Sequence, residues 1–218
     1  MRTLRTMLTL ALAASLLAPM PSAEAGSSIL VRMEDYRYRP RKVGGLSTNP
    51  DNPSRAHPIV WRNDGNTLHD VREDPDQEGI RVRTPDLDPG ASSGGLALTA
   101  AATYRYVCTY HPQMTGIVKV RPALYPDGDP GNVHVTQGPG GKAIVRLRTG
   151  SLPDDEVMDL QRRRGAGSWK TIATGTRRKQ VGQSPNTEGV YTFRARIRHT
   201  SSGGATTWSP VSKKLTVT

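Results

Sequence analysis

The chain has 218 residues, a formal net charge of +11 and a single cysteine. One thiol excludes a disulfide-stapled scaffold, and beyond the first 25 residues no stretch is long and apolar enough to cross a bilayer as a helix. The charge is uneven: residues 26–124 carry 13 Lys/Arg against 11 Asp/Glu, and residues 125–218 carry 15 against 7. That surplus reads either as a solvated face or as an attraction for an anionic polymer such as a cell-wall component. Nucleic acid is not expected, because no recognition helix is visible.

Residues 1–25 open with Arg2 and Arg5, continue through an apolar run over 7–17, and end on Ala23-Glu24-Ala25. This is the order of a secretory signal peptide cleaved before Gly26, so the mature chain is expected outside the cytoplasm, secreted or in the cell envelope. Helix signals are nearly absent afterwards. Short alternating segments between Gly and Pro predict an all-β protein of sandwich-like layers. Strands are expected over 29–33, 58–63, 96–99, 103–108 and 116–120, with a long polar loop, RPRKVGGLSTNPDNPSRAH, before Pro58. Residues 122–131 (PALYPDGDPG) have linker composition. A second set of strands is expected over 132–136, 143–148, 157–162, 169–173, 189–198 and 212–217. The domains are therefore read as 26–121 and 132–218, each of ordinary sandwich size. The acidic run at 73, 74, 76 and 78 is read as a solvated loop.

The lone cysteine lies in Y104-R-Y-V-C108-T-Y-H111-P-Q-M114-T-G. On a strand over 104–108, Tyr104, Tyr106 and Cys108 share one face, and Pro112 forces the chain to leave the ladder. One short loop thus offers a thiolate, an imidazole and a thioether. Two His and one Cys in a trigonal set with a weak axial Met form a mononuclear copper site, whereas zinc prefers four strong ligands. His69, after a strand that ends in a polar turn, is the best second imidazole. The candidate ligands are His69, Cys108, His111 and Met114. His57, His134 and His199 have no neighbouring soft donor and are read as ordinary histidines.

The motif Cys108-x-x-His111-x-x-Met114, with Tyr38-Arg39-Pro40, Val60-Trp61-Arg62-Asn63, Pro89-Gly90 and Thr103-Tyr104-x-Tyr106 upstream, resembles a cupredoxin of the short-loop amicyanin type over residues 28–121. The resemblance implies a Greek-key β-sandwich, one copper ion cycling between Cu(I) and Cu(II), and electron entry at His111. Tyr110, Pro112 and Gln113 would surround that entry as a docking surface for a redox protein. Asn63, Asp70 and Thr109 would support the ligands. Many members carry Asn where Asp70 stands, so the redox potential is left open. Residues 130–218 resemble a fibronectin type III domain through E188-G-V-Y-T-F-R-A-R-I-R-H and T207-W-S-P, with Tyr191 as a tyrosine-corner residue and Trp169 as a core residue.

An exported one-electron carrier is the expected function. The alternatives are copper sequestration or delivery, and surface adhesion through the second domain. An enzyme is not expected, since no further histidine patterns for other copper centres and no nucleophile–base set occur.

Overall fold

The computed structural model describes residues 28–48, 58–125, 133–135 and 145–218. The expected leader, its cleavage point, His57 and residues 126–131 of the expected linker lie outside the described residues. The protein is all-β; one 3-10 turn, Pro75–Gln77, is the single helical element among the described residues. None of the described helices is long and apolar enough to cross a membrane.

Residues 28–121 build two sheets. In the first, β1 (Ile29–Glu34) lies between antiparallel β2 (Arg37–Arg39) and parallel β4 (Ile59–Asn63). In the second the order is β3 (Lys42–Ser47), β7 (Thr115–Arg121), β6 (Ala102–Val107) and β5 (Arg72–Glu73). Alternation turns one face of each sheet inward: Ile59, Trp61 and Asn63 are buried on β4, and Tyr104 and Tyr106 on β6, where Thr103 on the other face is buried as well. The sheets meet through aromatic edges, with Tyr106 4.8 Å from Tyr38 and 5.6 Å from Trp61.

The second half also builds two sheets. One runs β13 (Gln180–Gln183), β10 (Val145–Arg148), β8 (Ala123–Tyr125). The other runs β12 (Lys170–Thr176), β11 (Glu156–Arg164), β14 (Gly189–His199), β15 (Leu215–Val217), β9 (Val133–Val135). On β14, Tyr191, Phe193, Ala195 and Ile197 are buried while Arg194, Arg196 and Arg198 face outward, as the alternation predicts. The Tyr191 hydroxyl donates to the Thr187 carbonyl at 2.7 Å, closing the corner expected of it.

Four expectations about individual strands and core residues need correction. Part of the expected long loop is strand β3, which pairs in parallel with β7 across a break in register at Gly44-Gly45; the bulge hides the alternation. Residues 96–99 form no strand and contribute a single bridge, Leu96 to Ile59. Residues 123–125 of the expected linker are paired strand β8. Trp169 is half-buried on the polar face, against Arg163 and Arg194, and does not fill the core.

Backbone and side-chain bonds join the two halves. Ala101 N donates to Thr149 O at 3.0 Å, Thr103 Oγ1 to Trp208 O at 2.9 Å, and Ala205 N to Asp76 O at 3.0 Å. Arg81 pairs with Asp155 at 3.2 Å. The acidic run is therefore more than a solvated loop: Asp76 and Glu78 accept bonds from the second half, and Glu73 is an inward carboxylate paired with Arg83.

Candidate metal centre

The site sits at one end of the first sandwich, where two loops meet. The first loop follows β4. Asn63 braces it: its amide donates to the Thr67 carbonyl at 2.7 Å and the Leu87 carbonyl at 2.8 Å, and its oxygen accepts from Gly65 N at 2.9 Å. His69 is then pinned by a two-way backbone bridge to Leu87. Space for the imidazole comes from Gly65, where a Cβ would stand 2.5 Å from Asp35 Oδ1 and 3.0 Å from His69 Nε2.

The second loop follows β6. Cys108 N donates to Met114 O at 3.0 Å, His111 N to Cys108 O at 3.2 Å, and Met114 N to His111 O at 2.7 Å. The chain from 108 to 114 is thus closed on itself, with Cys108 and Met114 fully buried and His111 half-buried. Asp70 ties the loops together: Thr109 donates to it from its backbone N at 2.7 Å and from its hydroxyl at 2.6 Å.

The result is a triangle of donor atoms. His69 Nδ1 and His111 Nδ1 are 3.2 Å apart, and each is 3.7 Å from Cys108 Sγ. A point equidistant from the corners of such a triangle lies about 2 Å from each, close to metal–imidazole bonds of roughly 2.0–2.1 Å. His69, Cys108 and His111 are the described group of His, Cys, Asp and Glu side chains able to hold a metal ion. The triangle therefore fits a small ion that accepts two imidazoles and one thiolate. His199, by contrast, lies at the junction of the halves, 2.9 Å from Ser202 Oγ and 3.3 Å from Asp155.

Burial acts on the two buried donors in opposite senses for a ligand role. Burial pushes the His69 pKa down, helped by the facing His111 and opposed by Asp35 and Asp70, so the ring is held neutral. Burial raises the Cys108 thiol overall and the Asp70 charge adds to the rise, against an opposing pull from backbone bonds at Asp70, Tyr110 and His111. Without an ion the thiol form is therefore favoured, and a metal would be taken up with loss of its proton.

Three contributors were not singled out from sequence. Arg72 lies 3.4 Å from Asp70 and balances its buried charge. Asp35 stands 3.9 Å from His69 Nε2. Tyr36, exposed and at φ +68°, meets the His111 ring edge-on at 5.1 Å; no local pattern marks it. Of the expected docking residues, Tyr110, Pro112 and Gln113 are exposed beside His111.

No protein-family model and no curated protein matches the chain. Solved structures do. A reduced amicyanin mutant is 23% identical, with 43% of this chain and 81% of that chain covered and a TM-score of 0.35. A purple cupredoxin from Nitrosopumilus maritimus is 18% identical, with 43% and 99% covered and a TM-score of 0.35. A second reduced amicyanin mutant is 22% identical, with 46% and 86% covered and a TM-score of 0.36.

Proposed function

We propose that this protein binds one copper ion through His69 Nδ1, Cys108 Sγ, His111 Nδ1 and the Met114 thioether, and that it carries single electrons. The observation behind this reading is the triangle of two imidazole nitrogens and one sulfur. A trigonal two-His, one-Cys set suits copper, whereas four-coordinate zinc sites need a fourth strong donor that a thioether does not supply. Copper supplies a one-electron couple. The chain's part is to hold the donors still: the closed 108–114 loop, the His69–Leu87 bridge and the Asp70–Thr109 tie leave them little freedom to rearrange when charge changes. A rigid donor set keeps the cost of electron transfer low.

His111 is the half-buried ligand, and it would pass the electron to a redox protein seated on Tyr110, Pro112 and Gln113. A small surface of this kind suits brief redox encounters. Residues 1–25 would direct export, and residues 132–218 would be a fibronectin type III-like unit on the strength of the Tyr191 corner. No catalytic set accompanies the site in this reading, so the protein is not assigned an enzymatic step.

One equivalent of Cu(II) added to the full chain should produce an intense visible charge-transfer band, and a reversible one-electron couple should follow. Cys108→Ser should abolish the band while the fold, read by circular dichroism, persists. A colourless complex would sink the proposal. A coloured complex with very slow self-exchange that readily loses copper to an acceptor would leave the site intact and turn the function to copper delivery.

A further inference from the structure

The outward face of β11 and β14 carries an alternating stack of arginine and tryptophan. Arg163 lies 4.7 Å from the Trp169 ring centre and Arg194 4.2 Å from it; Arg194 is also 4.6 Å from Trp208, and Arg196 4.9 Å from Trp208. The order in space is Arg163, Trp169, Arg194, Trp208, Arg196. Register places Gln161 opposite Arg194 and Asp159 opposite Arg196. The charges are poorly balanced. Asp159 accepts from both Arg196 and Arg198, but no carboxylate pairs with Arg163 or Arg194 among the described residues. Arg194 finds only the neutral Gln161 Oε1, at 2.9 and 2.7 Å. Its pKa is lowered by burial and by the like charges of Arg163 and Arg196.

Indoles flank these guanidiniums at cation–π distance, so the arginines and their remaining N–H donors are already ordered. An ordered row of donors with surplus positive charge is complementary to a row of carboxylates or sulfates. We propose that this face binds an acidic polysaccharide, with Arg163 and Arg194 as the principal contacts. Each indole already meets two guanidiniums, which leaves little ring face for a base. That favours a glycan over nucleic acid, which is held by stacking of its bases on aromatic faces.

The test is calorimetric titration of the full chain, with and without copper, using a heparin oligosaccharide of defined length, neutral dextran and duplex DNA. Heparin should bind in a salt-dependent manner and dextran should not. Losing two charge-assisted contacts in Arg163→Gln/Arg194→Gln should weaken heparin binding by about tenfold or more. Arg178→Gln/Lys179→Gln removes equal charge elsewhere and should change it by less than about threefold. Arg194→Lys keeps the charge without the planar fork and should also weaken binding, so it serves if the double variant does not fold. Equal losses in the two double variants, no heparin binding, or DNA binding as tight and as dependent on Arg163 and Arg194, would each overturn the proposal. Copper should make no difference, so the outcome is separate from that of the metal reading.

Discussion

Asp70 shows how one side chain serves packing and chemistry together. Its carboxylate is 1% exposed, accepts two bonds from Thr109 and is balanced by Arg72 at 3.4 Å. Removing one member of such a pair leaves a buried charge uncompensated. Because the Arg72 side chain is one-third exposed, Arg72→Gln should cost only about 1–2 kcal/mol of metal-free stability in urea unfolding. Adding Asp70→Asn should recover most of that loss, since the neutral amide needs no cation; simple additivity of the two losses would contradict the pairing. Gly65 makes a second case. A methyl group there meets His69 Nε2 and Asp35, so Gly65→Ala should weaken copper binding and the charge-transfer band while the fold stays intact, read by absorption and circular dichroism. The meeting of His69, Cys108 and His111 was legible in sequence because a thiol and an imidazole sat three residues apart at a strand end, with a second imidazole after another strand. Arg72 and Tyr36 were not, because their roles depend on which loop faces them.

At the scale of the strand, Asp159 connects β11 to β14. Burial alone would raise its carboxyl pKa, but Arg198, the Gly175 N–H and Arg196 hold it below the usual range. A carboxylate with a depressed folded pKa contributes stability above its unfolded pKa, about 3.9 for Asp, and that contribution is lost as the pH falls through the folded value. Unfolding free energy should therefore drop on acidification below about pH 4, and Asp159→Asn should show a shallower drop over that window by chemical denaturation. An unchanged slope would refute the assignment. Strands were legible where alternation was unbroken, as on β4 and β14. β3 was not, because a bulge at adjacent glycines interrupts the period, with Gly45 at φ +81°. β13 (QVGQ) was missed because its polar residues and glycine carry almost no apolar signal. Trp169 was misplaced because a large aromatic suggests a core, whereas arginine faces offered it equal cover.

At the scale of the whole molecule, the two halves share one hydrophobic cluster that runs from Val31 and Trp61 through Tyr104 to Phe193 and Val217. Tyr104 is 4% exposed; burial raises its pKa, and the Glu156 carboxylate across the junction adds to the rise. The chain crosses the junction through Thr99–Ser151, Ala101–Thr149 and Thr103–Trp208 bonds. Breaking the halves apart would leave those groups and the Tyr104 face uncovered, so separation and unfolding should coincide. Scanning calorimetry of the metal-free chain should therefore show one cooperative transition, and two resolved transitions would contradict a shared core. Gly150 tests the same junction at one atom. It holds φ +91°, and a Cβ would collide with the Thr99 carbonyl. The conformation alone costs a non-glycine residue on the order of 1–3 kcal/mol, and the backbone oxygen cannot swing aside as a side chain does. Gly150→Ala should lower the midpoint of that single transition by more than the same change at Gly182, where no atom lies within 4 Å and the backbone is unremarkable. Equal effects at the two positions would mean that the halves yield at this contact without cost.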